Sequence, residues 1–350
     1  MFRLYTDLFY QDTNLKAQFK KNYSKLLTTI ADKINAKPRK NGKLVSLTKI
    51  INKRIRNLYS KYKESLIDLP MDFIELVLLS PEKIAKIYKY YESNIVFKND
   101  VKKEFGTIYG ARNGKISVLP FDKFSEKIAE FILEDETGCI NTIQTCFYCN
   151  KSYINSYKTK EDISKRQFDL DHFIPKTKCP MFALCLYNLV PSCQICNSRI
   201  KSTEEYYKGC SADEIVKLMP TSERYCYYDS LKFRIVPTKP LFDDDIPFDE
   251  FKNKKNCFRI ELEHCDEDSI LYEKEAEGFD IINRYDYHKR EFLAHIDKAR
   301  KYPPSYFLLL AQIKSPVDSS DLQEAIFDTK LRNDEKMIFQ KIYNDIDDNL

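Results

Sequence analysis

YNLVPSCQICNSRIK, Tyr187 to Lys201, sets a C-x-x-C pair, Cys193 and Cys196, between two asparagines, Asn188 and Asn197. A second pair, Cys146 and Cys149 in CFYC, precedes it by 43 intervening residues. One C-x-x-C fits a redox dithiol or a coincidence. Two such knuckles suit a tetrahedral four-cysteine zinc site, because each turns two thiolates toward one point. Four thiolates leave no open coordination position, so such a zinc is structural. The spacer is longer than a minimal zinc ribbon needs, so something is inserted between the halves.

The insert holds FDLDHFIPK, Phe168 to Lys176, with two aspartates and one of only four histidines in the chain. Asp171-His172 with a following proline, Asn188-Leu189 before the second C-x-x-C, then Cys196-Asn197 and a basic residue stand in order over about 56 residues. That ordered set resembles the HNH, or ββα-metal, nuclease motif in its zinc-stapled form. The resemblance implies that His172 is the general base and that Asp171 and Asn197 hold a catalytic Mg²⁺ or Mn²⁺. It also implies that Asn188 pins the loop carrying the base. The motif's last letter is asparagine here, a common variant in the family.

The chemistry accounts for these residue types. Phosphodiester hydrolysis needs a water deprotonated near neutral pH and a charge sink for the leaving oxygen. A histidine is uncharged at neutral pH, and hard oxygen ligands suit Mg²⁺. Asp169 and Lys201 are auxiliary candidates. Asp169 shares a strand face with Asp171, and Lys201 shares a helix face with Asn197; each is also readable as an ordinary structural or solvated residue. Phe168 and Leu170 are expected to point into a core.

Composition sets the wider frame. With 43% hydrophobic and 31% charged residues the chain reads as globular. Scarce glycine and no tryptophan, with many tyrosines and phenylalanines, favour helices over a turn-rich β fold. The first residues do not read as a signal peptide, and FLLLA at 307–311 is far short of a membrane helix. A cytoplasmic protein without membrane contact is expected, and eleven cysteines crowded between Cys139 and Cys265 then point to metal or free thiols rather than disulfides. Residues 1–63 carry 16 Lys/Arg against three Asp/Glu. Such an arm suits a polyanion such as a nucleic acid, with Lys20, Lys21, Lys25, Arg54 and Arg56 as candidate phosphate contacts; a solvated helix face or a surface that docks on an acidic protein fits as well.

The expected fold class is α+β: a mainly helical protein around a central ββα-metal core stapled by the four cysteines. Apolar spacing predicts helices over 14–36 and 46–66, broken by KPRKNGK at 37–43, and another from Phe121 to Glu136 closing at Gly138. SPEKIAKIYKYY at 80–91 has a serine cap and a proline start. CFYCNKSYINSY and RQFDLDH suggest two strands joined by 158–165, and 231–237 and 257–265 suggest two more. Residues 268–300 read as a long helix or a broken pair ended by Pro303-Pro304, and the final thirty residues as helical. The expected division is a basic helical region 1–100, an HNH nuclease domain 101–230 with its core at 145–203, and a mixed region 231–350 for docking a partner. His288 and His295 read as a docking face or polar stripe, and His264 as a weak metal candidate.

Downstream, R-Y-x-Y-H-K-x-E from Arg284 to Glu291 extends the resemblance, more loosely, to HNH subunits of Septu-type and retron-associated antiphage systems. That implies an ABC/SMC-like ATPase partner and a defence role. Two other readings stand beside a DNA endonuclease: an RNA-cleaving toxin acting on tRNA, and a non-catalytic zinc module that binds nucleic acid.

Overall fold

Helices start where the sequence supplies caps. The Asp12 carboxylate accepts from the amides of Asn14 and Leu15 and opens a helix over Thr13–Lys33; Ser80 caps one over Pro81–Ser93, with Pro81 at its first turn. The computed structural model describes residues 4–36, 45–106, 121–133, 137–139, 145–158, 160, 164–201, 205–238, 258–302, 305–306, 309 and 339–347. The expected break at 37–43, the Pro303-Pro304 stop and most of the final thirty residues lie outside these.

In chain order the first helices are α1 (Asp7–Gln11), α2 (Thr13–Lys33), α3 (Leu47–Tyr62), α4 (Phe73–Val77), α5 (Pro81–Ser93), α6 (Ile95–Phe105) and α7 (Phe121–Leu133). Helix α2 buries Phe19, Tyr23, Leu27 and Ala31, a strict four-residue spacing, and α3 buries Leu47, Ile51, Ile55, Leu58 and Tyr62. Gly138 takes the left-handed φ of +74° expected of a chain reversal, and its carbonyl accepts from the Thr6 hydroxyl.

The strands come in antiparallel pairs. A two-residue pair, β1 (Asn35–Ala36) with β2 (Val45–Ser46), precedes α3; β3 (Ser156–Lys158) pairs with β4 (Ser164–Arg166), and β5 (Asp169–His172) with β6 (Leu189–Ser192). One expectation changes here. RQFDLDH does not act as a single strand against the CFYC segment: its first part closes the β3–β4 ribbon, and DLDH pairs instead with LVPS at 189–192. All four β6 residues are buried, so β6 gives DLDH an apolar face to pack on.

A helical segment of π type, Ile195–Lys201, follows β6 directly. Beyond it lie α8 (Ala212–Leu218), α9 (Tyr227–Ser230), β7 (Leu231–Pro237) and β8 (Phe258–His264); the last two are the expected strands, and they pair with each other over seven residues. The stretch 268–300 resolves into α10 (Ser269–Gly278), α11 (Ile281–Asp286) and α12 (Lys289–Lys301), with Asp280 at φ +50° turning the chain between the first two. Helix α13 (Gln340–Asp347) packs on β7 and α12.

The described chain is thus mostly helical with small two-stranded sheets, an α+β protein. Its apolar core is continuous from Leu4 to Ile346, so the three sequence regions share one interior. The expected boundary at residue 100 falls inside α6. No helix among the described residues is long and apolar enough to cross a membrane.

Candidate active site and four-cysteine cluster

Strand β5 carries three polar side chains in four residues, and its register with β6 sets Asp169 opposite Ser192, Asp171 opposite Val190 and His172 opposite Leu189. Residues 169 and 171 fall on one face by strand alternation. Asn197 and Lys201, four apart on the segment after β6, meet them there. The Asn197 amide donates to Asp169 Oδ2 at 2.9 Å, and the Lys201 ammonium pairs with Asp171 Oδ2. Strand and helical segment are therefore joined by two polar contacts side by side.

Lys201 is 3% exposed, not the solvated residue that its charge suggests. Its ammonium also donates to the His172 carbonyl at 2.8 Å and lies over the Tyr148 ring, 5.4 Å from the centroid. The Tyr148 hydroxyl donates to Asp171 Oδ2 at 2.7 Å. Burial, and then the Asp171 charge, hold the Tyr148 hydroxyl well above its ordinary pKa, so it remains a donor. Arg199 is exposed, on the far side of the segment.

His172 is buried, and its Nε2 lies 2.9 Å from the Ala183 carbonyl oxygen. A carbonyl can only accept, so Nε2 carries the proton in the neutral ring and the lone pair is on Nδ1. Burial, followed by the charge of Lys176, pushes the imidazole pKa down to about 3, against the opposing pull of the Ala183 carbonyl. The ring is neutral at neutral pH.

Asn188 is fully buried and holds the loop between β5 and β6. Its Oδ1 accepts from the Ile174 amide at 2.8 Å; its Nδ2 donates to the carbonyls of Ile174 and Phe182, each at 3.1 Å. These bonds clamp the residues following His172 to those just before Ala183. Asn188 thus sets the imidazole's surroundings through the backbone, a positioning role rather than a chemical one. Helix α2 supports the same loop, since the Tyr23 hydroxyl donates to the Leu184 carbonyl at 3.0 Å. Phe168 and Leu170 are buried as expected.

The sulfurs of Cys146, Cys149, Cys193 and Cys196 lie within 4.8 Å of one another, all buried, and can hold a metal ion such as zinc. Among the described residues no other group of three or more His, Cys, Asp or Glu converges in this way. Backbone amides point inward: Cys193 N to the Cys146 sulfur at 3.3 Å and Cys196 N to the Cys193 sulfur at 3.4 Å. Hydrogen bonds from the neighbouring cysteines depress Cys193 strongly, and that from Cys146 foremost brings Cys149 down to about 7. Burial raises Cys146, and, against the opposing bond from Cys146, those from Cys149 and Cys193 raise Cys196. Four thiolates this close need a cation, which is the electrostatic case for a metal.

The region after 231 seals this cluster. The Arg284 guanidinium donates to the Cys196 sulfur at 3.3 Å, and the Tyr285 hydroxyl to the Cys149 carbonyl at 2.7 Å. Burial opposes the charge on Arg284, but the Cys196 and Cys149 sulfurs outweigh it and raise its pKa. Asn150, at φ +44°, accepts from the Phe339 amide through its carbonyl and from the Lys341 amide through its side chain. Of the R-Y-x-Y-H residues, Arg284 and Tyr285 face inward on the knuckles and only Tyr287 is strongly exposed. His288 pairs with Glu291, His295 with Asp347, and His264 with Glu273 and Ser269.

The basic arm divides. Lys21, Lys25 and Arg56 are exposed. Lys20 is half-buried over the Tyr187 ring, 5.3 Å from its centroid, and burial, then Lys16, lowers its pKa. Arg54 is committed inward: it donates to the Glu104 carbonyl at 2.8 Å and pairs with the Glu104 carboxylate at 3.5 Å, capping the end of α6.

The sequence reading assigns no site role to Tyr148, Ala183 or Asn150, and names Arg284 only as the first residue of R-Y-x-Y-H-K-x-E. Tyr148 sits inside CFYC, where the cysteines dominate the pattern, and a backbone carbonyl leaves no sequence signal at all. Comparisons with models of known protein families, with curated proteins and with solved structures find no match to this chain.

Proposed function

We propose that this chain is a metal-dependent endonuclease of HNH type that hydrolyses DNA phosphodiester bonds, with His172 as general base. The observation that carries the reading is the bond between His172 Nε2 and the Ala183 carbonyl. It supports a neutral imidazole with a defined tautomer, one residue along the strand from a hard oxygen ligand, and a neutral imidazole is the form that can take a proton from water.

The donor set fits Mg²⁺ or Mn²⁺. Asp171 Oδ1 and Asn197 Oδ1 make no hydrogen bond among the described residues, while their partner atoms are engaged. Asp169 has a role here: its carboxylate only accepts, so it turns the Asn197 amide nitrogen toward itself and the oxygen away. When bound, the ion supplies charge to stabilise the leaving oxygen and to orient the phosphate. His172 takes the proton of the attacking water at Nδ1. The negative phosphate raises the proton affinity of the ring from its low resting value. Asn188 keeps the ring's loop in place during the transfer. The four cysteines hold zinc as a staple. A partner ATPase and a defence role rest on the looser likeness of residues 284–291.

The deciding experiment is cleavage by purified protein of plasmid, single-stranded DNA and tRNA with Mg²⁺, comparing wild type with His172→Ala. Loss of DNA cleavage in a folded, zinc-loaded variant supports the reading. Activity confined to tRNA hands the site to RNA, and full activity in the variant removes His172 from the chemistry.

A further inference from the structure

Both hydrogen bonds accepted by the Asp171 carboxylate from described residues fall on the same oxygen. Oδ2 accepts the Tyr148 hydroxyl at 2.7 Å and the Lys201 ammonium, whereas Oδ1 has no hydrogen-bond partner among the described residues. The asymmetry is built in. Tyr148 lies within the first cysteine knuckle, and Lys201 lies five residues beyond Cys196 of the second. Lys201 is anchored a second time, on the His172 carbonyl, and the Tyr148 ring is stacked on Phe279 at 4.3 Å. Neither donor can leave Oδ2 without vacating a buried position.

We infer that Tyr148 and Lys201 are specificity-determining positioning residues that restrict Asp171 to single-oxygen coordination and so select Mg²⁺ or Mn²⁺ against Ca²⁺. This inference rests on the proposed metal role of Asp171. Mg²⁺ and Mn²⁺ are six-coordinate and satisfied by single oxygens and water. Ca²⁺ takes six to eight ligands and gains from carboxylates that offer both oxygens. Asn197 can offer only one oxygen, so Asp171 is the residue of the proposed pair able to make the difference. An ammonium on Oδ2 also places a positive charge where the second contact to Ca²⁺ would form. The larger ion is excluded by an occupied lone pair rather than by a narrow space.

The test is metal binding to zinc-loaded full-length protein, read by Mn²⁺ electron paramagnetic resonance with Ca²⁺ as competitor. Wild type, Tyr148→Phe, Lys201→Met and Asp171→Asn are compared. Tyr148→Phe keeps the ring stack and the ammonium, so it remains folded should Lys201→Met not. Removing the ammonium strengthens binding of both ions, so the discriminating quantity is the ratio of Ca²⁺ to Mn²⁺ affinity. Expected is weak Ca²⁺ competition in wild type, with the ratio rising roughly tenfold in Tyr148→Phe, the scale of one hydrogen bond to a charged group, and further in Lys201→Met. Mn²⁺ binding that is lost in Asp171→Asn, with a ratio unchanged in Tyr148→Phe, overturns this inference and leaves the active-site reading standing. Mn²⁺ binding that is indifferent to Asp171→Asn overturns both.

Discussion

The carbonyl oxygen of Ala183 lies 2.9 Å from Nε2 of His172, eleven residues earlier in the chain. That one bond fixes which ring nitrogen carries the proton, and it belongs to a loop that Asn188 and Tyr23 hold from two sides. An Asn188→Ala variant is therefore expected to lower kcat by roughly tenfold to a hundredfold while DNA binding changes little, because the base is misplaced and the phosphate contacts are not. Steady-state kinetics on plasmid DNA check it; an equal loss in binding would point to a collapsed loop.

Cys193→Ser is expected to release zinc and unfold the central region, since a four-thiolate staple contributes folding free energy directly. Arg284→Ala acts one step removed. It takes a donor from the Cys196 sulfur, and zinc affinity is expected to fall about tenfold to a hundredfold with the fold retained. Chelator competition with a zinc-sensitive dye measures both.

Glu275 is fully buried, with Oε1 accepting from the Tyr225 hydroxyl at 3.1 Å and Oε2 without a partner among the described residues. Burial raises its pKa from the ordinary value of 4.5 to about 8. Between those values the folded chain keeps a proton that the unfolded chain releases. The contribution of Glu275 to stability is therefore fully present below pH 4.5, declines as pH rises toward 8, and levels off beyond, with a slope of at most about 1.4 kcal/mol per pH unit. Glu275→Gln is expected to flatten that decline in urea melts at pH 5, 6, 7 and 8. An identical slope in the variant would assign the pH dependence to other groups.

Lys341 and Asp345 form an ion pair at 2.7 Å with almost no exposed side chain, and Asp345 also accepts from the Phe233 amide at 2.7 Å. Lys341→Met leaves a buried carboxylate, at an expected cost of about 3–5 kcal/mol. Replacing both residues by Met and Leu is expected to recover only part of it, since the Phe233 amide then loses its acceptor. Denaturation midpoints of the three proteins decide the matter.

Charge reversal at the exposed Lys21, Lys25 and Arg56 is expected to weaken DNA binding and flatten its salt dependence. Arg54→Glu is expected instead to loosen α6, whose end it caps. Binding titrations at several salt concentrations and thermal melts separate the two effects; a salt slope unmoved by the triple reversal would exclude the arm from phosphate contact.

Much of the α-helical frame was legible because capping and periodicity are local. Asp12, Ser80 and the four-residue spacing of α2 needed no knowledge of the rest of the chain. The cysteine cluster was legible because two knuckles have little else to do. Pairing was less so. DLDH carries no mark of its partner, and β6 is recognisable as that partner only once its four buried residues are seen to need a neighbour. Lys201 was the hardest residue to read, since a lysine on a helix face is ordinarily solvated. Its burial depends on Asp171, thirty residues away in the chain.

The contact between Asn150 and Lys341 has a consequence for the order of synthesis. The backbone groups that hold the first cysteine knuckle from outside are separated from it by 191 residues. At typical elongation rates of about 5–20 residues per second, the knuckle waits roughly ten to forty seconds on the ribosome for α13. During that interval the strand–loop–strand unit around His172 emerges in full, ahead of the α13 contact to the knuckle. Such an order leaves the outer support of the first knuckle to be added last, when α13 emerges and docks.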